Sequence, residues 1–130
     1  KKYKIMTGGF FIMGFPEETP ETLSETEKMM NELKLDRMGV STAIPFPGTK
    51  LFEQVKQDNL LIESVNYDTL WKTPISHNQQ GFVIKPYQMS IDELVDWRVR
   101  LHAVNDKYKG YNKKQWELET LSNNANGISL

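Results

Sequence analysis

Between residues 8 and 49 the chain twice runs from an apolar stretch through a glycine or proline corner into an amphipathic stretch opened by a threonine. No other feature limits the fold as much. Strand, helix, strand, helix, with a helix-length crossover between the strands, predicts parallel α/β units. Residues 10–15 (FFIMGF) are apolar and aromatic-rich, bounded by Gly8-Gly9 and interrupted at Gly14. Such a run suits a strand covered on both faces, the usual state of a parallel strand.

The first helix is expected from Thr19 as N-cap and Pro20 as first helical residue. Leu23, Thr26, Met30 and Leu33 then recur at spacings of three and four, which is one helix face. Glu17, Glu18 and Glu21 lie at its positive end, where the macrodipole favours anions. Residues 38–44 alternate in size. Met38, Val40, Thr42 and Ile44 form a bulky face, and Gly39, Ser41 and Ala43 a small one. The bulky face suits packing against helices, and the small face leaves room for a crowded barrel interior or a ligand.

A second helix carries Leu51, Phe52 and Val55 on one side. Past Ile62 the pattern weakens. Residues 66–80, with Tyr67 and Trp71, read as an extended loop, and residues 82–84 (FVI) as a short strand stopped by Pro86. Ser90 and Glu93 make a capping box ahead of Leu94, Trp97, Leu101, Val104 and Tyr108, a helix ending near Gly110. Residues 115–121 suggest one more short helix, and 122–127 (SNNANG) a disordered tail. The expected division is a main unit at 1–111 and a tail at 112–130.

Net charge is −1, which gives no electrostatic case for nucleic acid or an anionic membrane. No run approaches the ~18 apolar residues of a spanning helix, and the default location is cytoplasmic. The chain has no cysteine, which excludes a disulfide scaffold and a thiolate metal site within it. His77 and His102 fit no ligand spacing. The methionines are better read as core filling than as sulfur ligands.

In parallel α/β folds ligands bind at the carboxyl ends of strands. Here those ends are Gly14-Phe15-Pro16-Glu17-Glu18-Thr19 and Pro45-Phe46-Pro47-Gly48-Thr49. Glycine permits close backbone approach and proline fixes the backbone, so a rigid corner could hold a flat heterocycle by its edge. A nearby carboxylate could accept hydrogen bonds from an amine or hydroxyl. The plainer alternative is two tight turns, each followed by a capped helix.

Residues 9–55, GFFIMGFPEETPETLSETEKMMNELKLDRMGVSTAIPFPGTKLFEQV, resemble the C-terminal half of radical S-adenosylmethionine enzymes, above all the cobalamin-associated group. That group includes anaerobic cyclases, methyltransferases and iron–sulfur oxidoreductases. The likeness rests on the hydrophobic-G-[FL]-P-x-E-[ST] corner and on a following strand that ends in P-x-P-G-T. Tyr67-Asp68-Thr69-Leu70-Trp71 and Met89-Ser90-Ile91-Asp92-Glu93-Leu94 also resemble later family segments, so the likeness runs over residues 7–111.

The resemblance implies a fragment of a partial (β/α) barrel with parallel strands, flanking helices and a C-terminal helical extension. It also implies an enzyme that uses S-adenosylmethionine and a [4Fe–4S] cluster, with cobalamin as a candidate cofactor. The complete enzyme would cleave S-adenosylmethionine reductively, and the 5′-deoxyadenosyl radical would abstract a substrate hydrogen. Here Ile12 would pack on the adenine. Gly14, Phe15 and Pro16 would shape the corner, Glu18 would fix the loop or helix start, and Ile44 and Pro45 would close the other side of the ring. Glu17 stands where the family often has glycine, so Glu18 is the match to the family acid, with a one-residue ambiguity between them.

The family's cluster is held by three cysteines near the barrel's first strand, and this chain has none. The fragment alone is therefore expected to be inactive. Its partners would be the N-terminal half of the same barrel and an unidentified small-molecule substrate, with a homodimer or swapped edge when isolated. The competing reading is a non-catalytic α/β binding or regulatory module. A nucleic-acid-modifying relative is a weaker third, since no basic patch is present.

Overall fold

The computed structural model of the chain describes residues 4–62 and 81–125. In order these give β1 (Gly8–Met13), α1 (Pro20–Leu33), β2 (Arg37–Thr42), α2 (Lys50–Gln57), α3 (Ile91–Tyr108) and α4 (Tyr111–Ala125). The fold is mixed α/β, with a two-stranded parallel sheet and helices. The loop at 66–80, with Tyr67, Trp71 and His77, and the last residues of the tail lie outside the described residues.

Helix starts fall where local chemistry sets them. Thr19 is extended and caps α1, its hydroxyl accepting from the Thr22 N–H, while the Thr22 hydroxyl accepts from the Thr19 N–H in return. Pro20 takes the first turn, where its missing donor costs nothing. Lys34 ends the helix in the left-handed region, φ 46°, and its N–H reaches the Met30 carbonyl. At α3 the Ser90 hydroxyl accepts from the Glu93 N–H at 3.2 Å, and the Glu93 carboxylate accepts from the Ser90 N–H at 2.8 Å. The backbone bond from Ser90 holds the Glu93 carboxyl below its ordinary pKa. Ser90→Ala is expected to cost about 1 kcal/mol, read as a lower midpoint in urea with an unchanged slope.

The strands pair in parallel from Gly8 opposite Arg37 to Met13 opposite Thr42. One face of the sheet is packed. Phe11, Met13, Met38 and Val40 meet Leu23 and Met30 of α1, Leu94, Leu101, Val104 and Tyr108 of α3, and also Phe82 and Met89. Met13, Met30, Met38 and Met89 are buried, as expected of an unbranched side chain that fits irregular gaps, whereas Met6 and Met29 are exposed and fill no core, against that expectation. A second cluster joins Val55 of α2 to Ala43, Leu60, Val83 and Ile84, with Ile44 and Leu51 against it.

Several expectations are corrected. The β1 run reads as covered on both faces, yet Phe10 is 90% exposed and Ile12 55%, because no described element lies on that side. The size alternation holds only to Thr42, where β2 ends, and Ala43 and Ile44 turn into the second cluster. Leu33 completes the α1 pattern but is exposed. Residues 82–84 form no strand. Ile84 makes an isolated antiparallel bridge with Leu61. The last helix is longer than residues 115–121, running from Tyr111 through Ala125, so residues 122–125 of the expected disordered tail are helical.

The start of α4 is tied to the sheet by a buried carboxylate. Asp36, just before β2, accepts from the Thr7 N–H (2.8 Å), the Thr7 hydroxyl (3.3 Å), the Asn112 N–H (2.8 Å) and Asn112 Nδ2 (2.6 Å). Burial pushes its pKa up. The bonds from Asn112 and Thr7 outweigh that and hold it at about 2. Asn105 of α3 adds a second tie, its Oδ1 accepting from the Met38 N–H at 2.8 Å.

Candidate functional site

Both corners lie at the same end of the sheet, because the strands are parallel and Met13 stands opposite Thr42. One more ladder bond, from the Ala43 N–H to the Met13 carbonyl at 2.8 Å, follows before the chains diverge. The first corner turns on Gly14, whose φ of +86° is a conformation that L side chains rarely adopt. A Cβ at Gly14 would lie 2.9 Å from Phe82 Cδ1. The space that glycine leaves is thus taken by the buried Phe82 ring, over which the Arg98 guanidinium sits 5.2 Å from the centroid.

Glu18 closes the same corner. Its carboxylate accepts from the Gly14 N–H at 3.0 Å and from the Thr22 hydroxyl at 2.6 Å. The Glu18 N–H donates to the Phe15 carbonyl at 3.1 Å. Glu17, one position earlier, is exposed and accepts from Gln54 Nε2 of α2. The one-residue ambiguity between the two acids thus has a geometric content. Glu18 serves its own turn, and Glu17 reaches across to the second unit.

At the second corner the Phe46 N–H donates to the Ile44 carbonyl at 3.0 Å. Thr49 caps α2 by accepting from the Phe52 N–H, and its own hydroxyl donates to the Phe46 carbonyl at 2.7 Å. These bonds close both corners from within, so many of the backbone groups that could grip a ligand edge already serve the turns.

The seven residues singled out in the sequence therefore gather at one end of the sheet in different settings. Gly14, Pro16 and Pro45 are buried, Glu18 and Ile44 half-buried, and Ile12 and Phe15 exposed. Ile12 projects from the face that carries Gly39 and Ser41 on β2, with Ser41 its partner in register. Apolar surface beside small neighbours is what a flat ring can lie against.

Tyr87 has no signal in the sequence beyond following Pro86. Its N–H donates to the Pro16 carbonyl at 2.9 Å. Its hydroxyl accepts from Gln54 Nε2 at 3.1 Å and donates to the Asp58 carboxylate. The bond to Asp58 raises the phenol pKa. An open depression of about 450 Å³, lined by Thr49, Glu53, Gln54 and Asp58 among others, lies beside this network. A larger, mostly apolar groove of about 520 Å³ lies elsewhere, between Lys4 and the Trp116, Thr120 and Leu121 side of α4. Among the described residues no group of three or more His, Cys, Asp or Glu is placed to hold a metal ion. No described helix is long and apolar enough to cross a membrane.

No protein-family model and no solved structure matches the chain. Three curated proteins do, each over a segment. The chain is 40% identical over 62 residues to an uncharacterized methyltransferase of Pyrococcus horikoshii, a match covering 48% of this chain and 14% of that protein. It is 25% identical over 109 residues to the bacteriochlorophyllide d C-12(1)-methyltransferase of Chlorobaculum tepidum, covering 84% and 21%. It is 32% identical over 92 residues to the anaerobic magnesium-protoporphyrin IX monomethyl ester cyclase of Cereibacter sphaeroides, covering 71% and 13%. The chain thus spans between 13% and 21% of the length of these relatives, and its similarity is to a segment of methyltransferase and anaerobic cyclase enzymes.

Proposed function

We propose that this chain is a C-terminal section of a radical S-adenosylmethionine barrel, working within a longer methyltransferase- or cyclase-type enzyme. The observation that carries the reading is the side-by-side arrangement of the two corners at the carboxyl ends of a parallel strand pair. The segment-length similarities to methyltransferases and an anaerobic cyclase support it. So does the sheet face around Phe10 and Ile12, which no described element covers and against which the N-terminal half of a barrel would pack.

The residues present do not fit an iron–sulfur cluster. The chain has no cysteine, so any cluster ligands belong to another part of the enzyme. The nucleoside of S-adenosylmethionine fits better, since Ile12 offers apolar surface beside its small register partner Ser41 at the ligand-binding end, while the Phe10 ring takes the space over Gly39. When bound, S-adenosylmethionine supplies methyl-transfer or hydrogen-abstracting chemistry. The part of this chain is to seat the adenine on Ile12 and to keep the corner rigid through Glu18. A site for cobalamin, if the enzyme uses one, and the surfaces that select the substrate would belong to the rest of the enzyme.

The test uses the longer protein with its cluster reconstituted. Ile12→Glu is expected to weaken S-adenosylmethionine at least tenfold with iron content unchanged. An unchanged affinity overturns the adenosine placement. A complete coding sequence without an upstream CxxxCxxC would favour the non-catalytic binding module instead.

A further inference from the structure

The two corners are joined by more than the strand ladder. Tyr87 touches both halves of the site. Its backbone N–H holds the Pro16 carbonyl of the first corner, and its hydroxyl meets Asp58 at the C-terminal end of α2, the helix that the second corner launches. Gln54, on α2, completes the bridge by donating from one Nε2 to both the Tyr87 hydroxyl and Glu17 of the first corner. All four side chains lie on the surface or partly so, and Tyr87 is 49% exposed. Polar contacts so close to water add little to folding, because the same groups hydrogen-bond to solvent when the chain opens. What such a bridge changes is position. It adds a side-chain tie between two elements whose apolar side chains belong to different clusters, since the first corner packs through Phe82 into one cluster and α2 packs through Val55 into the other.

We infer that Tyr87 is a positioning residue that, with Gln54, holds the two corners at a fixed spacing for the ligand seated between them. The inference rests on the nucleoside reading above and adds to it a strap between the two halves of the site. A ligand held from two sides binds well only when those sides are already at the right separation, because ordering them on binding costs affinity.

The first measurement needs no cofactor. Phe15→Cys and Phe46→Cys, at exposed positions on the two corners, carry nitroxide labels whose dipolar coupling reads the separation of the corners. A narrow distribution is expected with Tyr87 in place, and a broad one after Tyr87→Phe, which keeps the ring and the backbone bond but loses the hydroxyl. Gln54→Ala should broaden it as well. An unchanged distribution in Tyr87→Phe overturns the strap. The second measurement uses the longer protein. Tyr87→Phe should weaken S-adenosylmethionine about five- to tenfold, and Tyr87→Phe combined with Gln54→Ala should weaken it by less than the product of the single effects. Broadened coupling with unchanged affinity also overturns the role in binding. If Ile12→Glu weakens the ligand while Tyr87→Phe does not, the strap's role in binding falls and the nucleoside site stands. If neither variant changes affinity, both fall.

Discussion

Asp36→Ala is expected to cost roughly 3–5 kcal/mol, since it strands buried donors that faced an ionised acceptor. At this chain length that lowers the melting temperature by about 10 °C or more. Four donor contacts from Thr7 and Asn112 converge on the carboxylate, and cutting the side chain back to a methyl removes the acceptor they share, leaving Asn112 Nδ2 its 3.3 Å contact with the Thr7 hydroxyl. Asp36→Asn should cost less, because one oxygen still accepts while the new amide opposes the donors. The pH dependence separates charge from shape. The folded carboxyl sits at about 2, below its ordinary value of 3.8. A depressed folded pKa means that the contribution is complete above pH 4 and is lost as pH falls from there toward 2. Wild type should therefore lose stability more steeply across that window than Asp36→Asn. Equal slopes in urea titrations at pH 4 and pH 2.5 would refute the assignment.

The second large effect is at Gly14. Alanine there must adopt φ +86° and place its Cβ 2.9 Å from the Phe82 ring. The backbone term costs about 1–2 kcal/mol, and crowding a ring fixed in the core adds about 1–3 kcal/mol. Two other glycines act as internal controls. Gly48 has the same φ of +86° with nothing within 4 Å of its Cβ position, so Gly48→Ala should show the backbone term alone. Gly39 would meet the Phe10 ring at 2.9 Å, but that ring is 90% exposed and free to swing aside, so Gly39→Ala should cost well under 1 kcal/mol. The expected order of destabilisation by denaturant is Gly14, then Gly48, then Gly39. Gly14 and Gly48 with equal costs would mean that Phe82 yields.

These effects mark what the sequence could reveal. Local signals read well. Thr19 with Pro20, Thr49, and Ser90 with Glu93 start helices where their side chains find backbone donors three residues on. The parallel pairing was legible because a crossover of helix length leaves few other ways to join two apolar strands. The bonds between Asp36 and Asn112 were not, for they join residues 76 apart and neither belongs to a motif. Phe82 filling the gap beside Gly14 was equally hidden. A glycine at a strand end says that something approaches closely, not whether it is a ligand or a ring of the same chain. The continuous apolar run of β1 misled about coverage for a related reason. Periodicity reports how apolar a strand is on each face, while cover comes from elements elsewhere in the chain. Within the site, the corner residues stood out as glycine and proline, whereas Tyr87 and Gln54 are ordinary surface types whose meaning lies only in what they bridge.

The convergence on Asp36 also orders events during synthesis. Thr7 emerges from the ribosome 105 residues ahead of Asn112, yet both must meet the same carboxylate. The paired strands can form once Thr42 is out, but the joint at their amino-terminal end stays half-made until the first turn of the last helix is translated. A nascent chain arrested before residue 112 should therefore be cut by protease near Thr7, and one arrested well beyond it should be resistant there.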